Sequence, residues 1–408
     1  MKDRSKPANY RGNGVRVLLL LALGIVASYT LVAGRSLRNN RRELVDYGSN
    51  SSDDDDDVVV VAAETTKTDE TSFAKPARGD PLLEPVDCQE LLKSYRRGEI
   101  AQLRDHTAEL PYHKSYVRLT KTSIPFYMST SDANVDIFRV GIFDTGNYYE
   151  KVMTKTMQTI IEEVSERMMT RDHDGERPIM LDVGGNVGWF SMLAAAHGAE
   201  VFVFEPNVVN MIRLCESSVL NGWMHSRFHP YLKGVSDRHG SQEVMYKVDP
   251  KNPGSFSFSK ENADVYESKF GKAGTLEDKL QLISLDALAM DQRWLDDDDH
   301  RTIAILKIDV EGLELEVLSG ARKLLMSHKV QYIFLEWKNS QVHNWEKMST
   351  ILLQSGYVMY KFGGGQGPDK LVTIEYANGA ELAKGIAAIS KVENTNVLFR
   401  LAEIKGSE

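Results

Sequence analysis

Ile179-Met180-Leu181-Asp182-Val183-Gly184-Gly185-Asn186-Val187-Gly188-Trp189-Phe190-Ser191-Met192-Leu193-Ala194 reads as a short apolar strand, a glycine-rich turn and the apolar start of a helix. Glycines in such a turn let backbone approach a ligand and let the helix pack on the strand, with the amides of the helix start facing the turn. Beyond the helix, Val201-Phe202-Val203-Phe204 is a second apolar strand, closed by Glu205 and Pro206. A carboxylate there is placed to grip the two hydroxyls of a ribose. Strand, turn, helix, strand and acid in this order predict a doubly wound, Rossmann-like α/β fold with a nucleotide-cofactor site.

Two departures from the dinucleotide fingerprint decide the cofactor. The spacing of Gly184, Gly185 and Gly188, with Asn186 between them, does not fit Gly-x-Gly-x-x-Gly. The first strand also ends in Asp182, a poor neighbour for a pyrophosphate. It suits S-adenosylmethionine, which lacks phosphate and carries a sulfonium and an ammonium. The turn is therefore expected to hold the methionine portion, with Asp182 near the ammonium and Glu205 on the ribose. An NAD-type oxidoreductase is the rival on this fold, and a catalytically inactive binding protein is another.

The second concentrated signal is Ile303-Ala-Ile-Leu-Lys307-Ile-Asp309-Val310-Glu311-Gly312, followed by a helix from Leu313 through Gly320 to Leu325. A buried parallel strand carries Lys307, Asp309 and Glu311 to its carboxyl end, where open α/β sheets bind ligands. Lys307 inside an apolar strand needs a counter-charge. Glu336, closing the next strand Val330 to Glu336, is the expected partner. Ser236 or Asp237, after a third strand Phe228 to Leu232, are placed to hold an adenine. His343 stands in reserve as a base. Strands at Tyr357 to Phe362 and Thr395 to Arg400 complete a seven-stranded, mostly parallel sheet, the last two expected as a hairpin with one antiparallel edge strand. No metal site is expected: Asp296 to Asp299 and Asp53 to Asp57 read as solvated charge runs.

The chain has 408 residues, 42% apolar and 26% charged, with a net charge of −9. That is room for one large domain with appendages, and the acidic balance argues against a nucleic-acid partner. Residues 1–16 form a basic tail. Residues 17–33 carry no charge, at the short end of the ~17–25 needed to span a bilayer, and read as a signal anchor, with cleavage after Gly34 as the alternative. Residues 34–85 read as a disordered acidic stalk. A helical lead-in follows over 86–111, opened by a capping box of Asp87 and Glu90, and the catalytic domain spans 112–402. Within it, strands are expected at Ser123 to Met128 and Val135 to Val140, then a helix with Met153, Met157, Ile160, Ile161, Val164 and Met168 on its apolar face. Asn252 to Phe258 reads as a long loop, and Gly363 to Gly367 as a flexible one. Cys88 and Cys215 are too few for a disulfide framework, and Cys215 is expected to pack as a buried thiol.

With both signals placed, the chain resembles the FkbM family of class I S-adenosylmethionine-dependent methyltransferases. The family's first motif appears as Asp182 to Gly188, with Gly185 replacing the usual alanine. Its Lys-Ile-Asp-Val-Glu-Gly block stands as Lys307 to Gly312, followed by Glu316, Val317-Leu318 and Gly320-Ala321. Weaker echoes are Tyr149-Glu150, Glu205, Ser284-Leu285-Asp286 and Glu336, and coverage runs from about Tyr112 to Arg400. The resemblance implies methyl transfer to a hydroxyl of a sugar, glycan or small metabolite, with Glu150 added to the cofactor-binding residues. A short anchor fits a thin early-secretory membrane, so a single-pass protein of the Golgi or endoplasmic reticulum is expected, its catalytic domain lumenal, or secreted if the segment is cleaved.

Overall fold

The computed structural model describes residues 80–100, 115–130, 150–169, 176–224, 226–247, 256–257, 275–296, 300–337, 339–362, 371–374, 376, 378–389 and 395–402. The basic tail, segment 17–33, the stalk up to residue 79, the strand expected at Val135 to Val140, Tyr149, Gly363 to Gly367 and Asp297 to Asp299 lie outside the described residues, as does most of Asn252 to Phe258. No helix among the described residues is long and apolar enough to cross a membrane.

In chain order, α1 (Cys88–Arg96) precedes a hairpin of β1 (Tyr116–Leu119) and β2 (Tyr127–Thr130), then α2 (Lys151–Met169). The first βαβ unit is β3 (Ile179–Val183), α3 (Trp189–Ala196) and β4 (Glu200–Phe204), continued by α4 (Val208–Leu220) and β5 (Phe228–Tyr231). Next come β6 (Gly234–Val235), β7 (Gln242–Lys247), β8 (Phe256–Ser257), β9 (Thr275–Ile283) and α5 (Leu285–Asp291). The second half runs β10 (Ile303–Ile308), α6 (Glu314–Ser319), α7 (Arg322–Met326), β11 (Val330–Trp337), α8 (Trp345–Gln354), β12 (Tyr357–Phe362), β13 (Leu371–Ile374), α9 (Gly379–Ile389) and β14 (Thr395–Leu401).

The main sheet has eight strands in the order β13-β12-β14-β11-β10-β3-β4-β5. Strands β11, β10, β3, β4 and β5 are mutually parallel. Every residue of β3 and β10 is buried, as expected of strands covered on both faces. Chain order switches between β3 and β10, so their carboxyl ends open a crevice.

Three expectations change. The last strand is not an edge strand: β14 is inserted antiparallel between β11 and β12. The edge hairpin is instead β12 with β13, an eighth strand. The helix expected from Leu313 to Leu325 is two, parted at Gly320, where an added Cβ would lie 2.4 Å from the Ser236 carbonyl oxygen. Backbone there passes too close to the chain leaving β6 for a side chain. The strand expected over Ser123 to Met128 begins only at Tyr127. Helix α2 does bury Met153, Met157, Ile160, Ile161, Val164 and Met168.

Cys88 and Cys215 form a disulfide, with Cα atoms 5.2 Å apart and a separation of 127 positions in sequence. This corrects the reading of Cys215 as a packed thiol. Both sulfurs lie in an apolar cluster with Leu92, Met211 and Ile212, so the apolar helical face is real and the bond is buried within it. The bridge fastens α1 to α4, helped by the Val86 amide donating to the Pro230 carbonyl at 2.6 Å. Asp87 caps α1 by accepting from the Gln89 and Glu90 amides. Cross-linking such distant residues restricts the unfolded chain, so Cys88→Ser or Cys215→Ser is expected to cost about 2–4 kcal/mol. Thermal melts check this: each mutant should match wild type under reducing conditions, and equal melting of oxidised wild type and mutants would contradict it.

Candidate donor and acceptor site

The turn after β3 is held by its own amides. Those of Gly184 and Gly185 both donate to the Phe204 carbonyl, at 2.9 and 3.0 Å, and that of Gly188 donates to the Gly185 carbonyl at 2.9 Å. The Asn186 amide donates to Glu205 Oε2 at 2.7 Å, and the Val187 amide to Asn186 Oδ1 at 2.8 Å. The amides of residues 184 to 188 are thus all taken by protein acceptors. A phosphate cradle needs amides aimed outward, and these point inward to protein acceptors.

Gly184 has φ +81, and a Cβ on it would lie 1.8 Å from the Asp309 carbonyl oxygen. The glycine turn and the loop after β10 are thus in backbone contact, which only glycine permits. The Asp309 amide completes the junction by donating to the Val183 carbonyl at 3.0 Å.

Lys307 is the charge at the centre of this junction. Its Nζ donates to Asp182 Oδ1 at 3.1 Å and to the Gly184 carbonyl at 3.0 Å, and lies 3.9 Å from Asp309 Oδ2. Burial alone would lower its pKa, but the Asp182 and Asp309 charges outweigh it and push the ammonium up to about 12. The expected pairing with Glu336 is replaced by these partners. In the sheet Lys307 is directly opposite Asp182 on β3 and Phe334 on β11, so the nearest carboxylate belongs to the preceding half of the fold. Asp182 is fully buried, and its second oxygen accepts from Ser191 Oγ at 2.6 Å. It therefore builds the turn from beneath, where a direct contact with the donor's ammonium was expected. Glu150, at φ 40, accepts from Asn396 Nδ2 at 3.2 Å and adds to the field on Lys307.

Glu205 lines the cleft and is buried. Desolvation raises its carboxyl to about 7, against the opposing pull of the Asn207 and Asn186 amides. Each oxygen accepts one of these backbone bonds and keeps further acceptor capacity. Lys233, Gly234 and Val235 also line the cleft, as do Asp309, Val310 and Glu311. Ser236 and Asp237 are not among its lining. Ser236 is fully buried, its Oγ donating to Asp237 Oδ1 at 3.1 Å, so the cleft wall is formed instead by the preceding three residues. Lys233 was missed by the sequence reading, although it closely follows β5 at the ligand-binding edge. Burial lowers its pKa.

Of the remaining candidates, Glu336 sits near the carboxyl end of β11 opposite Asn396, and His343 is exposed in a short 3-10 helix, Asn339–Asn344. Neither lines the cleft. Asp286 serves the scaffold, because its oxygens accept from the Lys323 and Leu324 amides at 3.1 and 2.9 Å and so cap α7.

The site fits an adenosyl donor: a buried carboxylate stands on the cleft wall beside a glycine turn whose amides from Gly184 to Gly188 are engaged by the protein itself. The pH dependence of Glu205 follows with a definite sign. Its folded pKa of about 7 lies above the ordinary 4.5, so the free protein loses stability as pH rises from 4.5 towards 7 and no further beyond it. Ribose hydroxyls donate best to the ionised form. The thermal shift given by S-adenosylhomocysteine is therefore expected to be larger at pH 8 than at pH 6. Glu205→Ala should remove that difference and weaken binding by about 1.5–3 kcal/mol. Equal affinity in a folded mutant would take Glu205 out of the site.

Among curated protein sequences none matches this chain. Solved structures similar to it include the precorrin-6y C5,15-methyltransferase of Geobacter metallireducens, at 10% identity over 59% of this chain and 89% of that one, with a TM-score of 0.25. A SAM-dependent methyltransferase of Agrobacterium tumefaciens is similar at 12% identity over 70% of each chain, with a TM-score of 0.30. Residues 182–359 match the family described as "Methyltransferase FkbM domain", a stretch that begins at the carboxylate beneath the glycine turn and contains the whole Lys307 to Gly312 block. Over these residues the chain is thus similar to the methyltransferase domain of the FkbM family.

Proposed function

We propose that this protein transfers a methyl group from S-adenosylmethionine to a hydroxyl of a sugar, glycan or small metabolite. The observation that carries the donor is the inward use of every amide from Gly184 to Gly188 beside the buried Glu205. That combination suits a ligand with a ribose better than a pyrophosphate seated on the turn. When bound, the donor supplies an electrophilic methyl on a sulfonium. Glu205 would accept from the ribose hydroxyls, and Lys233 to Val235 would flank the adenine. Asp309 and Glu311, on the same cleft, would orient the acceptor hydroxyl and take its proton as it attacks. Much of the acceleration would come from holding the two reactants in register.

The deciding experiment has two parts. Calorimetry with S-adenosylmethionine and with NAD should give binding for the first alone. Incubation of the protein with methyl-labelled donor and a lysate fractionated into glycans, lipids, proteins and small metabolites should label a hydroxyl in the glycan or small-metabolite fraction. Donor binding without transfer to any fraction would favour a binding protein.

The location we propose is lumenal, with residues 17–33 as the anchor. The disulfide supports it, because such bonds persist in oxidising compartments. Digestion of intact microsomes tests it: loss of the carboxyl-terminal domain without detergent would reverse the orientation.

A further inference from the structure

Glu314 opens α6 and is buried, with a relative exposure of 1%. Its Oε1 accepts from the Val310 amide at 3.3 Å and from the Gly312 amide at 3.1 Å. Those two amides bracket Glu311, which stands at φ 57, and Gly312 follows at φ 105. A non-glycine residue in the left-handed region is strained, and persists where its surroundings over-determine it. On the β3 side the loop is held by the Asp309 amide and by contact with Gly184. On the far side the Glu314 carboxylate fastens it. We propose that Glu314 is a positioning residue: one buried oxygen, bonded on both sides of Glu311, holds the strained loop so that Asp309 and Glu311 face the cleft.

This inference rests on the proposed role of Asp309 and Glu311 at the acceptor. It requires an acceptor oxygen at this position, whether charged or not. Glutamine retains such an oxygen at the same reach. Aspartate keeps the charge, but its side chain is one methylene shorter. Glu314→Gln should therefore behave much like wild type, whereas Glu314→Asp and Glu314→Ala should release the loop. Hydrogen exchange at the Val310 and Gly312 amides reads the loop directly. Exchange should be faster in the aspartate and alanine variants and near wild type in the glutamine variant.

With methyl-labelled S-adenosylmethionine and the methyl-accepting lysate fraction, the rate at saturating donor should fall about 10²-fold in Glu314→Ala, the scale of a misplaced reacting group. The donor concentration for half-maximal rate should hold within about twofold, because the ribose and turn contacts are untouched. Wild-type exchange at both amides in Glu314→Ala, or a wild-type rate in it, would overturn the assignment. Should the alanine variant not fold, the glutamine and aspartate pair decides: an aspartate variant equal to wild type overturns it. If wild-type protein methylates no fraction, the proposed function fails, and the exchange comparison still decides whether Glu314 holds the loop.

Discussion

Asp309→Asn is expected to bind S-adenosylmethionine like wild type and to transfer its methyl about 10²–10⁴-fold more slowly, the usual consequence of removing a general base. Asp309 directly follows β10, its amide bonded to β3 and its carboxylate 3.9 Å from the Lys307 ammonium, so it is carried on a rigid element. Glu311 lies farther along the loop at φ 57, and Glu311→Gln is expected to lose less. Single-turnover rates, calorimetry with the donor and thermal melts on both mutants separate the outcomes. Loss confined to the rate marks a group acting in the transition state. Parity of both mutants with wild type at saturating acceptor would mean that positioning alone drives transfer, and would remove both acids from the chemistry. Unfolding of Asp309→Asn would assign it to the Lys307 charge network instead.

Lys307→Met should be the most damaging change to stability. It would leave the buried Asp182 carboxylate with Ser191 but no cation, and breaking a buried pair on one side costs about 3–5 kcal/mol. The Gly184 carbonyl would lose its bond to Nζ in the same step, loosening the glycine turn. Removing both charges, as Lys307→Met with Asp182→Asn, should recover a large part of the loss, since neither member is then an isolated buried charge. Denaturant midpoints for wild type, the two single mutants and the double mutant form the cycle that measures this. A double mutant no more stable than Lys307→Met alone would show that the lysine acts through packing against its neighbours, Phe190 among them at 5.7 Å.

Much of the framework was legible before any coordinates. Strands β3, β4, β10 and β11 announce themselves as near-continuous apolar runs because they are buried on both faces, and Tyr357–Phe362 matches its expected bounds. That Glu205 lines the cleft could be expected from its place directly after a buried strand, since the carboxyl ends of parallel strands open such crevices in this class of fold. The glycine turn was equally plain, although the sequence could not say that its amides are turned to Phe204, Glu205 and the turn itself.

What the tertiary structure decided are the pairings between elements distant in the chain. Sequence order made Glu336 the neighbour for Lys307, whereas sheet order sets β10 beside β3 and puts Asp182 directly across from the lysine. Cys88 and Cys215 each look like an ordinary buried residue locally, and only the docking of α1 on α4 brings them together. The final strand carries no local sign that it enters between β11 and β12. Glu314 reads along the chain as one more helix residue, and its two bonds exist because the left-handed turn at Glu311 folds the Val310 and Gly312 amides back onto it. Periodicity and turn chemistry are local properties and can be read along the chain. The partner of a buried charge or a thiol depends on the order in which elements pack, a property of the whole fold that no single segment encodes.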